Sequence, residues 1–448
     1  MTFPFALPSE PEHGGDLPAE ADVVVIGGGV AGTSAALFLQ QKGLRVVLLE
    51  KGRIAAEQSS RNWGWVRVQG RDPAEIPIAL EARQHWAALD QRAGGRTGLK
   101  QVGVTYLAQT EKDNQGFQDW LKVAQDYQLD SRFLDENEVK NHLPNAQAKW
   151  PGALLTPSDM KAEPWQAVPE LGRIAAEDGV VVRESCAARA LDLEAGRVTG
   201  VFTEHGRIAT NAVVLAAGAW SRLFLKRHGV VIPQLAVRSS AMATEPLPDV
   251  FGGAAADGVF SFRRREDGGY TVTPSGYSEL FIGPDAFASF RAYLPVIRDP
   301  KEYNYHLRGP APRGYPDAWG TPRRWAEDAE SPFERMRILN PEPNRRKLDE
   351  IRDMFARIFP DVGDVRIKAK WAGMIDTLPD LLPVVDHVEA LPGLTVCTGL
   401  SGHGFGIGTA YGRIVADLVT GGNVGHDLHA LRMSRFYDGT KLLPGPGL

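Results

Sequence analysis

The stretch from Ala21 to Glu50 constrains this chain more than any other. Ala21-Asp-Val-Val-Val-Ile26 is short, β-branched and almost wholly apolar, the pattern of a strand buried on both faces of a parallel sheet. It runs straight into Gly27-Gly-Gly-Val-Ala-Gly32. From Val30 to Lys42, Ala31, Ala35, Phe38 and Leu39 recur at helical spacing, and Gly43 supplies a left-handed stop. Arg45-Val-Val-Leu-Leu-Glu50 then reads as a second strand. This is one βαβ unit carrying G-x-G-x-x-G in register. Gly27 permits the tight turn, Gly29 lets a pyrophosphate approach the backbone, and Gly32 lets the helix pack on the sheet. The N–H groups at Val30 and Ala31 face the phosphates with the positive end of the helix. Glu50 closes the second strand, where a carboxylate accepts from ribose hydroxyls and repels a 2′-phosphate.

Adenosine diphosphate is common to NAD and FAD, so this unit alone does not separate them. Two further strand-like runs, Ala212-Val-Val-Leu-Ala-Ala217 and Leu394-Thr-Val-Cys-Thr398, also end in glycine. They predict a cofactor domain assembled from separated pieces of chain. Thr398-Gly-Leu-Ser-Gly-His-Gly-Phe-Gly-Ile-Gly408 opens a helix with Ala410, Ile414 and Leu418 on one face. Such a start points N–H groups at whatever anionic group lies above it, as reduced flavin would. From about 245 to 365 the composition shifts to Arg, Pro, aromatics and turns, with Phe260-Ser-Phe-Arg and Tyr270-Thr-Val-Thr as expected antiparallel strands.

The totals exclude several classes. At 448 residues, with 43% hydrophobic and 23% charged, the chain suits two or three folded domains. A net charge of -5 offers no overall attraction to nucleic acid or an anionic membrane. Cys186 and Cys397 have no metal-ligand spacing, and no metal is expected. No apolar run approaches the roughly 18 residues of a membrane span, and the N-terminus lacks a signal pattern. A reducing cytoplasm is the expected location.

Gly27 to Glu50, Ser59-Ser-Arg-Asn-Trp-Gly64, Ala216-Ala-Gly-Ala-Trp-Ser221, Asp376-Thr-Leu-Pro-Asp-Leu-Leu-Pro-Val-Val385 and Ser401-Gly-His-Gly-Phe405 occur in the order of the D-amino-acid oxidase, glycine oxidase and sarcosine oxidase superfamily, which the chain resembles at motif level over most of its length. The resemblance implies an α/β fold, a Rossmann-like, two-dinucleotide-binding-domain FAD domain with a second sheet-and-helix substrate domain. The expected division gives 18–84, 150–233 and 373–435 to the FAD domain, 85–149 and 234–372 to the cap, and 1–17 and 436–448 to tails. The stretch from about 280 to 340 matches nothing in that pattern.

The activity it implies is oxidation of an amino acid or a carboxylate-bearing secondary amine, with hydride transfer to flavin N5 and hydrolysis of the imine. Beyond the first unit, the cofactor-binding residues it implies are Lys51, Ser59, Ser60, Arg61, Asn62, Trp63 and Gly64. Ala188, Ala217, Gly218 and Trp220 follow in mid-chain, then Gly373, Gly402, His403, Gly404, Phe405 and Gly406. Arg67 falls where such enzymes present a guanidinium to the substrate carboxylate, a task its fork suits; a structural ion pair at Arg67 or Arg71 is the competing role. Trp63, Trp65, Tyr270, Tyr277 and Trp371 are candidates for an aromatic cage around the amine, with core packing the commoner role for each. His403 is a candidate acid or base, or a structural hydrogen bonder. Arg263-Arg-Arg265 is a candidate for attracting an anionic substrate, with a solvated hairpin face the commoner role.

Departures from the family pattern matter as well. Gly406 stands where sarcosine-type oxidases have a second, lysine ligand. Trp371-Ala-Gly-Met374 lacks their flavin-linking cysteine, so FAD is expected to be non-covalent. A loose alignment near Tyr270-Thr271 lacks their oxygen-activating lysine, which favours a dehydrogenase. Oxygen, a quinone or a carrier protein remain open as electron acceptor, and a homo-oligomer is compatible with the sequence. Two other functions stay open: a 2-hydroxy-acid dehydrogenase on the same fold, and a flavin-bearing subunit active only in a complex, with 280–340 as its contact surface.

Overall fold

The computed structural model describes residues 10–298 and 305–443. The outer parts of both expected tails, and 299–304 within the unassigned stretch, lie outside those residues. At the centre is a six-stranded sheet. Val23–Ile26 pairs in parallel with Val46–Leu49 on one side and Val213–Leu215 on the other. Val181–Arg183 extends it beyond Val46–Leu49, Leu394–Thr398 beyond Val213–Leu215, and Val384–His387 closes that edge antiparallel. The strands that read as continuous apolar runs are the ones buried on both faces, as a parallel sheet covered by helices demands. On one face the Val30–Gln41 helix lies against the Gly404–Thr420 helix. Gly408 and Gly412 make that approach feasible, since a Cβ at 412 would stand 2.4 Å from Ser34 Cβ. A three-stranded meander, Ala188–Glu194, Arg197–Thr203 and Gly206–Ala209, lies beside the sheet.

The second sheet forms the roof. Its strands include Val104–Leu107, Arg132–Asp135, Gly152–Thr156, Leu235–Thr244, Ala254–Ala256, Phe260–Arg264, Tyr270–Pro274 and Ser278–Phe281. Phe262 faces Val272 across the expected antiparallel pair. The long strand Ile367–Thr377 runs antiparallel along Leu235–Thr244, from Leu235↔Thr377 to Thr244↔Ile367. It carries the chain from the cap down to the cofactor-side residues Gly373 and Asp376. The aromatic core of the cap, Phe260, Phe262, Tyr270, Phe355 and Phe359, is covered by the amphipathic Arg345–Ile358 helix, which buries Leu348, Ile351 and Phe355.

Three details depart from the sequence expectation. Gly152–Thr156 hydrogen-bonds to Val104–Leu107 and Arg132–Asp135, so it belongs to the cap sheet although it lies beyond the cut expected at 150. Residues 12–16 are held down: Glu12 N–H donates to Glu184 at 2.7 Å, Glu12 pairs with Arg173, and Asp16 O accepts from Arg183. The third concerns Arg263 and Arg265, which are buried rather than solvated. Arg263 forms a two-pronged ion pair with buried Glu163 at 2.9 and 2.8 Å and also donates to Trp63 O, which ties the roof to the segment below it. Cys186 and Cys397 are both buried free thiols. Among the described residues no helix is long and apolar enough to cross a membrane, and no His, Cys, Asp and Glu cluster suits a metal.

Candidate active site

One cavity of about 1380 Å³ lies between the two sheets, larger than the roughly 300–1,000 Å³ of a single small-ligand pocket. Its floor at one end is the fingerprint turn. Gly27 sits at φ +111°, and a Cβ there would lie 2.4 Å from Ala216 O; a Cβ on Gly32 would lie 2.0 Å from Gly27 O. Only glycine lets the strand turn and the helix close on it. Glu50 completes this end. Its carboxylate accepts from Gly28 N at 2.8 Å and Gly52 N at 2.6 Å. Burial raises its carboxyl to about 7, against the lowering effect of Lys51 and those two N–H groups. At the helix start, Ser59 Oγ accepts from Val30 N at 3.0 Å, so Ser59 stands beside the N–H groups that would receive phosphate.

The middle of the cavity is walled by Lys51, Arg61, Asn62, Trp63, Ala188, Ala217, Gly218, Trp220 and Gly373. Lys51 Nζ lies 4.4 Å over the Trp220 ring and pairs with Glu57 at 2.6 Å. Glu57 also accepts from Trp220 Nε1 and Leu339 N. Arg61 donates to Ala372 O at 2.7 Å and Ala56 O at 3.1 Å, and burial pulls its guanidinium down to about 10. Asp376 accepts from Gly399 N at 2.7 Å and holds the turn before the C-terminal helix.

The far end is the candidate substrate pocket. Arg67, Arg71, Gly402, His403, Gly404 and Phe405 line it from below, and Tyr106, Ser239, Ser240, Ala241, Gly276 and Tyr277 line it from the cap. Arg67 is half-buried, lies 5.6 Å from the Tyr106 ring centroid and donates to Gln69 O. Among the described residues no carboxylate comes within ion-pair distance of it. Arg71 is buried, donating to His403 O at 3.1 Å and lying 3.7 Å from Glu75. Thus the ion pair considered for Arg67 or Arg71 falls on Arg71. Trp63 and Trp65 meet edge to face at 5.1 Å, and Trp65 Nε1 is buried with no partner.

Several expected residues stand off the cavity wall. Tyr270 is fully buried in the cap core, with its hydroxyl accepting from Val250 N and Phe251 N. It has no direct catalytic contact to make. Trp371 is buried with Ala241 and Ala243, and its Nε1 donates to Arg61 O at 3.0 Å; it braces the segment that lines the cavity. Ser60 bonds to Ala55 O, and Gly32, Gly64 and Gly406 make close backbone packing possible. Of the expected cage, Trp63, Trp65 and Tyr277 line the cavity, joined by Tyr106. Sequence reasoning missed Gly28, Glu57, Gln58, Glu75 and Tyr106. A Cβ on Gly28 would reach 2.6 Å from Ile54 Cδ1, a signal present in the unbroken Gly27-Gly-Gly29; Glu57 and Glu75 look like any surface acid in sequence.

A dinucleotide-binding sheet beneath a mostly antiparallel roof, with one cavity shared between them, defines a two-domain oxidoreductase of the flavoprotein type. The chain belongs to the DAO family of FAD-dependent oxidoreductases, whose model matches residues 22–418. It resembles a solved L-amino acid deaminase from Proteus myxofaciens in complex with anthranilate, at 30% identity and a TM-score of 0.90 over 97% of both chains. Among curated proteins it is 25% identical to a glycine oxidase of Pseudomonas aeruginosa, over 89% of this chain and 94% of that one. It is 29% identical to mitochondrial sarcosine dehydrogenase of Mus musculus over 54% of this chain; the matched region spans 27% of that longer protein's length.

The residues present fit FAD. A Cβ on Gly27, Gly28 or Gly32 would strike its neighbours, Glu50 offers a buried carboxylate that could accept from ribose hydroxyls, and the cavity continues past Arg61 and Gly373 to the far end.

Proposed function

We propose that this enzyme oxidises an amino acid or a carboxylate-bearing secondary amine. The observation that carries this is Arg67: a guanidinium on the wall of the cavity's far end, flanked by Tyr106, with no carboxylate of its own among the described residues. A planar fork with five donors takes a carboxylate bidentately. Trp63, Trp65, Tyr106 and Tyr277 give the rest of the substrate an aromatic surround, which suits an amine. Bound FAD supplies a two-electron acceptor for the hydride on the carbon that bears nitrogen.

The protein's part is positioning and electrostatics. The fingerprint turn and Glu50 hold the adenosine end, and the Gly402–Phe405 turn brings the start of the last helix to the substrate end. FAD is held without a covalent bond. Trp371-Ala-Gly-Met374 offers no cysteine for such a link, and Cys397, the one cysteine on the cavity wall, is a thiol that burial pushes up to about 12. Anaerobic absorbance of the purified holoenzyme tests the substrate class: carboxylated amines or amino acids bleach the flavin band, whereas bleaching by 2-hydroxy acids alone would overturn the proposal.

A further inference from the structure

A buried group of four polar side chains lies against the Arg67 end of the cavity, and the chemistry described so far leaves it without a role. Glu75 precedes the Ile76–Arg92 helix, and its side chain makes no cap bond there. One carboxylate oxygen accepts from the Tyr411 hydroxyl at 2.9 Å. The other stands 3.6 Å from His403 Nδ1 and 3.7 Å from Arg71 Nη1. Both nitrogens are buried, and neither makes a hydrogen bond among the described residues. A carboxylate 2% exposed and facing two such donors has its negative charge stabilised in place. Burial pushes its carboxyl up, yet His403, Arg71 and Tyr411 together bring it down to about 2.

Two members of this group, Arg71 and the His403 imidazole, reach the cavity, and of the two the imidazole is the one suited to taking a proton. Burial pulls His403 below the usual histidine range, Glu75 pushes it up, and Arg71 and Arg67 pull it down. Glu75 faces it from the helix start, Arg71 and Arg67 from the preceding loop, and Tyr411 reaches it through Glu75. Arg71 joins the two ends of the pocket, since Nη2 donates to His403 O at 3.1 Å and Nε to Arg67 O at 3.4 Å. The ionised carboxylate beside Nδ1 draws the ring proton to that nitrogen. Nδ1 is buried against Glu75 and His403 is a cavity-lining residue; among the described residues nothing bonds to Nε2, whose lone pair is then free.

We infer that Glu75 is a positioning residue that fixes the His403 proton on Nδ1, leaving Nε2 as the base that takes the substrate's ammonium proton before oxidation. This rests on the amine reading above. An ammonium nitrogen has no lone pair with which to support hydride loss from its neighbouring carbon. Its N–H bond breaks, the electron pair stays on nitrogen, and the proton forms a new bond to Nε2. The resulting imidazolium faces Glu75, which stabilises it. With FAD bound, the free amine would give up hydride from its neighbouring carbon to the flavin while the nitrogen lone pair forms C=N, so the amine is oxidised as the cofactor is reduced and water hydrolyses the imine.

The test is anaerobic stopped-flow reduction of the holoenzyme across pH, in wild type, Glu75→Gln and His403→Asn. Loss of an opposite charge at this range moves a pKa by about one unit or more, so in E75Q the acid limb moves to lower pH by about that much. The limiting reduction rate falls about tenfold or more, with substrate Kd within about threefold. In H403N the limb no longer reports the imidazole and moves to higher pH, towards the substrate ammonium's own range, because the nitrogen must still lose its proton. An acid limb that E75Q leaves in place would overturn the proposal. A second measurement needs no Glu75 variant: ¹⁵N NMR of the wild-type holoenzyme, with the His403 signal assigned by its loss in H403N. The expected tautomer carries its proton on Nδ1; an Nε2–H tautomer would refute the positioning role. If no amine bleaches the flavin, the substrate reading fails, and the tautomer still decides whether Glu75 sets the imidazole.

Discussion

Replacing Arg67 by alanine probes the proposed anchor with little disturbance elsewhere. The guanidinium donates to Gln69 O and lies over Tyr106, but it balances no carboxylate within ion-pair distance. Its loss therefore strands no buried negative charge, and the stability cost is held to about 1 kcal/mol, the scale of one ordinary hydrogen bond. In the substrate complex the same side chain makes charge-assisted bonds, each worth about 1.5–3 kcal/mol. Because Arg67 is half-buried, solvent screens part of this, and one such bond is the appropriate magnitude. At about 1.4 kcal/mol per decade, Arg67→Ala lowers kcat/KM for a carboxylated amine roughly 10- to 150-fold, mainly through KM. The assay compares each carboxylated substrate with the amine lacking only its carboxylate, which loses less than about threefold. Arg67→Lys recovers part of the loss, since a point charge replaces a fork. A fall of less than about threefold for the carboxylated substrate, or equal falls for both members of the pair, would refute the anchor.

Two further outcomes follow from the cofactor end. Glu50 titrates near 7 in the protein without FAD, and ribose hydroxyls donate to its ionised form. FAD affinity of the apoprotein therefore rises as pH increases through about 7 and levels off above it, whereas Glu50→Gln binds more weakly with no such rise; fluorescence titration from pH 6 to 8 reads both, and a parallel slope in the variant would contradict the assignment. Gly32→Ala forces a Cβ to 2.0 Å from Gly27 O, a backbone clash costing about 1–3 kcal/mol. The variant purifies with less flavin and a lower denaturation midpoint, and wild-type values of both would show that the turn relaxes without cost.

The cofactor side was legible because its information is contiguous. One strand, one turn, one helix and one acid lie within thirty residues, and each glycine answers a local steric demand. The roof was harder to read because its pairings are distant: Leu235–Thr244 is completed by Ile367–Thr377, and nothing between them announces the match. Tyr270 shows the same limit within a single strand. Alternation marks two faces, but which face meets the cavity depends on the Arg345–Ile358 helix, whose Phe355 packs 5.4 Å from the Tyr270 ring. Arg263 looked solvated because its partner, Glu163, is a hundred residues away. Nothing around Glu75 in sequence announces its role, because His403 and Tyr411 reach it only through the distant start of the Gly404–Thr420 helix.

The most direct measurement is the anaerobic visible spectrum of the purified protein, titrated with D- and L-amino acids, N-methyl and N-carboxyalkyl amines, and 2-hydroxy acids. A flavin band bleached by an amino acid or a carboxylated secondary amine, with the oxo product released on imine hydrolysis, is the predicted result. A protein that shows no flavin absorbance even after FAD is added, or a flavin that only 2-hydroxy acids bleach, would contradict it.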